Sequence, residues 1–248
     1  MQRETTGIIS ESLRRRFADA SRVLVLTGAG VSAESGVPTF RGGGGTAVWK
    51  GLPFEVISSG RMLESNLAQV WEWFDYRRGV IEALKPNPAH FALARWQERF
   101  ADFTLVTQNI DGLHQEAGSR DVIELHGNLW RARCLDCAAL YDLRSMHGKM
   151  AGRACDECGG ALRPDVVLFG EMLPAGAMEL AGSRAQACEL CIVAGTSAVV
   201  YPAAFLPEIA KAAGAYVVEI NPEPTPVSAL CDEVIKGKAG ELLPLFDA

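Results

Sequence analysis

Two kinds of apolar pattern alternate along the chain. A short continuous apolar run at 23–26, and similar largely apolar runs at 103–106, 190–194 and 216–220, have the length and composition of strands buried on both faces. Between them, apolar residues recur at helical spacing over 10–20, 87–100, 178–187 and 203–213. Ser10 suits the cap of the first helix; Asn87 suits that of the second, with Pro88 in its first turn. Strands alternating with helices predict an α/β fold, a doubly wound parallel sheet with right-handed crossovers. Two segments break the rhythm. Residues 42–85 open on four glycines and continue as a long helical pattern, whereas 134–158 is polar and rich in cysteine. Both read as insertions that pack together as a smaller lobe.

Composition narrows the classes. Of 248 residues, 48% are hydrophobic, enough to fill a core and to exclude a disordered chain. The most apolar stretch, 191–210, contains Pro202, Pro207 and Glu208 and reads as strand, turn and helix rather than a membrane span. The first residues carry charges where a signal peptide needs an apolar run. Thirty acidic residues against 24 basic ones give a net charge of −6, which argues against a surface built to neutralise nucleic-acid phosphates. Seven cysteines are too few for a disulfide scaffold of this length, and their pairing suggests metal in a reducing compartment. A cytoplasmic protein is the expectation.

Gly28-Ala29-Gly30-Val31-Ser32-Ala33 follows the first strand and matches G-x-G-x-x-A, whose glycines let backbone N–H groups approach a pyrophosphate; such glycines also serve as plain turns. The acidic residue that a dehydrogenase carries about 20 residues further on is missing. The chain instead runs on as Glu34-Ser35-Gly36-Val37-Pro38-Thr39-Phe40-Arg41-Gly42, which favours a nucleotide site with an unusual loop. Cys134-x-x-Cys137, 17 residues and Cys155-x-x-Cys158 fall in the zinc-ribbon window. Four thiolates leave no open ligand position, so one structural Zn²⁺ is expected. Cys188, Cys191 and Cys231 read as buried thiols.

Three further polar groups stand at or after strand ends, where ligands bind in such sheets. They are Thr107-Gln108-Asn109-Ile110-Asp111-Gly112-Leu113-His114, Gly195-Thr196-Ser197, and Ile220-Asn221-Pro222-Glu223. Turn chemistry alone would also account for them. Glu124-Leu125-His126-Gly127-Asn128 precedes the cysteine segment; His126 is either a satisfied polar residue or a base placed where a cleft opens.

In this order the motifs resemble the sirtuins, NAD-dependent protein lysine deacylases, over nearly the whole chain from about Val23 to Gly240. The signature loop is residues 28–41. Val166-Val167-Leu168-Phe169-Gly170-Glu171 is similar to the segment on which the substrate peptide adds as a strand. The resemblance implies a Rossmann-like sheet with a smaller zinc-ribbon plus helical lobe, in one catalytic domain over 1–248. The nucleotide-binding lobe would comprise 1–41, 86–129 and 163–248; the small lobe would comprise the helical insertion 42–85 and the zinc insertion 130–162. It implies that Gly28, Ala29, Gly30, Ser32, Phe40, Arg41, Gln108, Asn109 and Asp111 surround NAD at its pyrophosphate, ribose and nicotinamide. Gly195, Thr196, Ser197, Asn221 and the backbone at Ala239 would hold the adenosine end. His126 would be the general base, with Asn109 beside it in catalysis. Products would be free lysine, nicotinamide and O-acyl-ADP-ribose. The implied partners are acylated lysine-containing proteins or peptides, with no nucleic acid and no membrane, met by a monomer. Mono-ADP-ribosyl transfer from NAD to a protein is the competing activity, and a zinc-ribbon module joined to a nucleotide sensor the non-enzymatic one.

Acyl preference is marked by a departure from the family pattern. Sirtuins that remove succinyl or malonyl groups carry Tyr-x-x-Arg on the helix over the acyl pocket; here Phe74 stands in the tyrosine place and Arg77 in the arginine place. Positions i and i+3 share a helix face, so both can meet the acyl group. Tyr76 lies about 100° around the helix from Arg77 and cannot substitute. The expectation is a deacetylase with reduced activity on acidic acyl groups, unless Arg77 is simply a solvated helix residue.

Overall fold

The computed structural model describes residues 8–38, 48–146, 148 and 150–247. The strands, in chain order, are β1 (Arg22–Thr27), β2 (Val48–Trp49), β3 (Leu52–Pro53), β4 (Asp102–Thr107), β5 (Ile123–Glu124), β6 (Gly127–Cys134), β7 (Leu140–Asp142), β8 (Leu162–Val166), β9 (Leu190–Ala194), β10 (Tyr216–Asn221) and β11 (Glu233–Lys236). Six of them form a parallel sheet in the order β11-β10-β9-β1-β4-β5. The chain builds outward from β1 through β4 and β5, then returns to β9 on its other side and builds outward again. The crevice beyond the carboxyl ends of β1 and β9 is therefore the switch point at which such sheets bind ligands.

The continuous apolar runs have a simple cause: the sheet is covered on both faces. Val23 and Val25 of β1 join one core with Leu13, Phe17, Leu93 and Trp96, while Leu24 and Leu26 join a second core with Ala181, Ala185 and Leu206. Phe17 is packed against Trp96, Phe100 and Phe246 at centroid distances of 4.7, 5.0 and 5.1 Å. Ser10 caps the helix Glu11–Asp19 by accepting the Leu13 N–H, and Asn87 caps Pro88–Arg99 by accepting that of Ala89.

The structure differs from the sequence expectation at the short edges. β5 and β11 carry no long apolar run: the first has two residues, and the second has a single buried residue, Ile235, beside an exposed Val234. The helical pattern at 203–213 begins as a 3-10 turn, Ala203–Phe205, before the α-helix Leu206–Ala212, with Pro207 in the first turn where its missing N–H costs nothing.

The two insertions share a core. Trp71, on the helix Leu67–Ile81, is buried with Cys134, Leu143, Met150 and Leu162, and its indole donates to Leu162 O at 2.7 Å. Cys134 and Leu162 belong to a three-stranded sheet in the order β7-β6-β8. β6 spans residues 129–130, where its pairing with β8 shifts register, and β8 spans 162–163, so the sequence-based lobe borders there fall within strands.

At the switch point the glycines are required by backbone proximity. The Gly30 N–H donates to Gly195 O at 2.7 Å. A Cβ on Gly30 would lie 2.7 Å from that oxygen, and one on Gly28 would lie 2.7 Å from Thr196 Cβ. Gly30→Ala should lower unfolding stability by about 1–3 kcal/mol, because neither backbone can yield. Gly182→Ala, on the helix Ala175–Ala187 with nothing within 4 Å, should raise it by about 0.5–1 kcal/mol. Urea melts of both variants check the pair; a neutral Gly30→Ala would refute the contact argument.

Candidate functional site

The ends of β1, β4, β9 and β10 open onto one cleft of about 560 Å³. Its near wall is a set of interlocked strand-end loops. Gln108 Nε2 donates to Thr196 Oγ1 at 2.9 Å, and Asn221 Nδ2 donates to Thr196 O at 3.3 Å. Gly28, Ala29, Gly30, Gln108, Asn109, Asp111, Gly195, Thr196, Ser197 and Asn221 all line the cleft. The far wall holds Phe74, Arg77, Val166, Val167, Phe169, Gly170 and Glu171, and His126 lies between the two.

Two expected residues do not line it. Ser32 is fully buried beneath the wall, and Ala239 is buried at the start of the short helix Ala239–Leu242. Glu34 reaches that helix: its Oε2 accepts the Gly240 N–H at 2.7 Å. Phe40, Arg41 and the glycines 42–45 lie outside the described residues. Sequence reading missed Phe54, Trp73 and Tyr201, which also line the cleft, as do Ile110 and Leu168 from its motifs. Trp73 was findable, because it stands one helical turn before Arg77.

His126 is held in one tautomer. Its Nδ1 lies 2.8 Å from Gln108 O, an acceptor only, so Nδ1 carries the proton and Nε2 keeps its lone pair. Burial pushes the imidazole below the ordinary histidine value, opposed by the bond to Gln108, so the neutral base is favoured at neutral pH. Gly127 follows with φ of 76°, and a Cβ there would sit 2.1 Å from Asp165 O; only glycine lets the chain turn from His126 into β6.

Asn109 is fixed by three bonds. Its N–H reaches Thr107 Oγ1 at 3.0 Å, and its Nδ2 reaches Gly28 O and Ser32 Oγ, both at 3.1 Å. Two buried histidines stand under these hydroxyls. His90 Nε2 is 3.2 Å from Ser32 Oγ, and His114 Nε2 is 3.0 Å from Thr27 Oγ1, which itself donates to Thr107 Oγ1 at 2.9 Å. Burial lowers His90 to about 4 and His114 to about 3, so both are neutral. Sequence reading gave His90 no role; it begins as an ordinary helix position in the run after Asn87.

Asp111 is also buried. Its Oδ1 accepts the Leu113 N–H at 2.9 Å, a turn contact, while burial raises its pKa against the opposing pull of that bond, Ser32 and Arg77. Arg77 is 6% exposed, so it is not a solvated helix residue. Its guanidinium lies 5.6 Å from the Trp73 ring; burial lowers its pKa and the Asp111 charge opposes this. Phe74 is buried on the same face, whereas Tyr76 is 54% exposed and stacks on Trp73.

The segment 166–171 is tied into the cleft wall. Val167 N–H donates to His126 O at 2.9 Å, and Phe169 exchanges bonds with Ser58 O and Gly60 N at 2.8 and 3.0 Å. Glu171 is turned inward: both carboxylate oxygens bind Arg163, at 2.5 and 2.8 Å.

Cys134, Cys137, Cys155 and Cys158 bring their Sγ atoms within 4.8 Å of one another, with Cys134–Cys158 and Cys137–Cys155 at 3.5 Å. Tetrahedral zinc with Zn–S of about 2.3 Å needs sulfurs about 3.8 Å apart, so the set fits the ion. Asp136 N–H points at Cys134 Sγ and Gly160 N–H at Cys158 Sγ, both at 3.4 Å, which would stabilise thiolates. None of the four lines the cleft. Cys188 and Cys231 donate to the carbonyls of Ala185 and Val227; Cys188 and Cys191 are buried as expected, whereas Cys231 is half-buried.

Fold, cleft and cysteine cluster together define an NAD-type α/β domain with a structural metal knuckle, and the chain belongs to the Sir2 family, whose profile matches residues 28–202. It is 48% identical over 228 residues to NAD-dependent protein deacylase 2 of Pyrobaculum aerophilum, covering 92% of this chain and 90% of that one. It is 46% identical over 218 residues to the NAD-dependent protein deacylase of Aquifex aeolicus, covering 88% and 90%. A solved Sir2 homologue–NAD complex superposes with a TM-score of 0.89 at 41% identity, covering 96% of this chain and 92% of that one. A Sir2 solved with a deacetylated peptide and 3′-O-acetyl ADP ribose superposes at 0.83 and 32% identity, covering 94% and 95%.

Purified protein should contain one zinc per chain by elemental analysis. Cys137→Ser should lose that zinc and melt several degrees lower, since metal-binding energy is folding energy for such a knuckle. Full zinc content and an unchanged melt in the variant would remove the four-thiolate assignment.

Proposed function

We propose that this protein is an NAD-dependent protein lysine deacylase, removing acetyl groups from lysine and releasing nicotinamide. The observation that carries the reading is His126: a half-buried neutral imidazole with Nε2 unbonded to Gln108, set between the glycine-rich wall and the 166–171 segment. When bound, NAD supplies the electrophilic ribose carbon that loses nicotinamide and accepts the acyl group.

The residues of the chain divide the remaining tasks. The backbone at Ala29, opening the α-helix Ala29–Ala33 and left uncrowded by the missing side chains of Gly28 and Gly30, suits the pyrophosphate. Thr196, Ser197 and Asn221 suit the adenosine end. Asn109, with its Nδ2 committed to Gly28 and Ser32, turns its Oδ1 to the reacting ribose, and Asp111 lies beside it. His126 Nε2 takes a proton from a ribose hydroxyl so that the oxygen can attack the acyl carbon. The backbone of 166–171 receives the peptide as an added strand, and Phe74 and Arg77 meet the acyl group. We further read the protein as a cytoplasmic monomer acting on protein substrates rather than on nucleic acid or membrane; among the described residues no helix is long and apolar enough to cross a bilayer.

His126→Ala should lower kcat/KM for an acetyl-lysine peptide by at least about 100-fold while leaving the melting temperature and zinc content intact. The wild-type acid limb of kcat/KM should fall below the free-histidine value of about 6.5, because a depressed pKa keeps the base unprotonated to lower pH. Nicotinamide should appear only when acyl-lysine is present. Release onto unacylated protein would instead favour mono-ADP-ribosyl transfer, and undiminished turnover by His126→Ala would sink the base assignment.

The buried guanidinium supports a second, finer reading, residual turnover of succinyl- or malonyl-lysine. A charged hydrogen bond from Arg77 could hold an acyl carboxylate without the hydroxyl that Phe74 lacks. Matched acetyl and succinyl peptides test it: Arg77→Met should cut succinyl kcat/KM at least about tenfold more than acetyl. Absent succinyl turnover, or equal losses, would end that reading.

A further inference from the structure

Glu219 lies inside β10 and is 1% exposed. Its neighbours Val218 and Ile220 point into the first core; Val217 points into the second, so Glu219 shares that second apolar face. A carboxylate there is costly unless it is hydrogen-bonded. Its compensation comes from two hydroxyls of the turn that follows β10. Thr225 donates to Oε1 and Ser228 donates to Oε2. Each hydroxyl also accepts a backbone N–H of the same turn, Val227 to Thr225 Oγ1 at 3.3 Å and Thr225 to Ser228 Oγ at 2.8 Å. The carboxylate thus closes the turn from below with all its polar groups matched.

That turn begins at Asn221, the cleft residue at the end of β10. Asn221 Nδ2 donates to Thr196 O on one side and to Glu223 O on the other, at 3.3 and 3.0 Å. The position of the Asn221 side chain is therefore set by two loops, one of which Glu219 anchors. An apolar residue of similar volume at such a position would usually stabilise a fold as well or better, so stability alone gives no reason for a charge.

We propose that Glu219 is a positioning residue for the adenosine end of NAD: it latches the 222–228 turn and so fixes Asn221 against Thr196. This rests on the NAD reading above. Neither the nicotinamide end nor the peptide wall touches the latch, so the effect is confined to one half of the cofactor.

The experiment compares Glu219→Gln, Glu219→Met and Thr225→Val with wild type in steady-state deacetylation and in calorimetric binding of ADP-ribose. Glu219→Met, which removes both acceptors, should raise KM for NAD and the ADP-ribose Kd by about tenfold or more, with kcat within about twofold. Glu219→Gln keeps the shape and one acceptor, and its rise should be clearly smaller. KM for the acyl peptide and inhibition by nicotinamide should not move. Thr225→Val breaks the latch from the loop side and should shift NAD in the same direction, which keeps the test sharp even if Glu219→Met fails to fold. Folded variants with unchanged NAD KM, or a loss confined to melting temperature or kcat, would overturn the proposal. A wild-type protein that binds no ADP-ribose would overturn the NAD reading together with it.

Discussion

The whole cleft depends on one close approach of two backbones. The loop after β1 and the loop after β9 meet with Gly30 N–H on Gly195 O at 2.7 Å. Neither side has room for a side chain: a Cβ on Gly195 would lie 2.4 Å from Val31 N, and its φ is 57°. From that contact the other loops take their places. Gln108 and Asn221 both bond to Thr196, the residue after Gly195, so loops from four strands are tied at a single point. The glycines thus do two things at once. They let the strand-end loops close on each other, and they keep side chains off the cleft surface formed by Gly28, Ala29 and Gly30.

Under that junction the chain has placed hydroxyls and neutral imidazoles rather than aliphatic groups. Thr27, Thr107, Ser32, His90 and His114 are buried and bonded in sequence beneath Asn109. Polar groups in a low-dielectric layer hold one another in fixed orientation, and a wrong rotamer leaves a donor or acceptor unmatched. The two histidines stay neutral because burial penalises the charged form. The Asn109 amide is therefore held by a polar floor that carries no charge of its own, while His126, Asp111 and Arg77 stand in the cleft lining with it.

Much of this was legible in the chain, for physical reasons that differ by element. The strands at 23–26 and 190–194 announce themselves because burial on both faces forbids polar interruptions. The four cysteines are legible because a metal fixes their spacing. The cleft residues after β1, β4, β9 and β10 are placed by position, since ligands in such sheets bind beyond strand ends, but turn chemistry is an equal reading until the motifs are taken in order. What escaped notice shares a different trait: its meaning is tertiary. β5 and β11 are edge strands whose pairing owes nothing to a hydrophobic run. Trp73 and Phe54 look like core aromatics until the helix is placed over the cleft. Ser32 was read as a cofactor contact, but in the fold it lies one layer below, acting on Asn109. Glu219 is hidden inside a strand pattern, where a single charge reads as noise.

Arg77 and Asp111 show how that layered construction bears on chemistry. Each is buried, each is pushed by desolvation toward its neutral form, and each charge opposes the shift of the other. Their charged states are therefore worth most together. On the deacylase reading, a neutral acetyl group enters beside this pair without altering its balance. A carboxylate-bearing acyl group must share the guanidinium with Asp111, and Phe74 offers it no hydroxyl in exchange. The shared guanidinium would then set acyl preference through the strength of its existing partner as much as through its own reach. Weakening Asp111 would free charge for an acidic acyl group while disturbing the ribose site beside Asn109. On that reading the two ends of the pocket would be linked through the mutual electrostatics of Arg77 and Asp111, and a change at either would be felt at both.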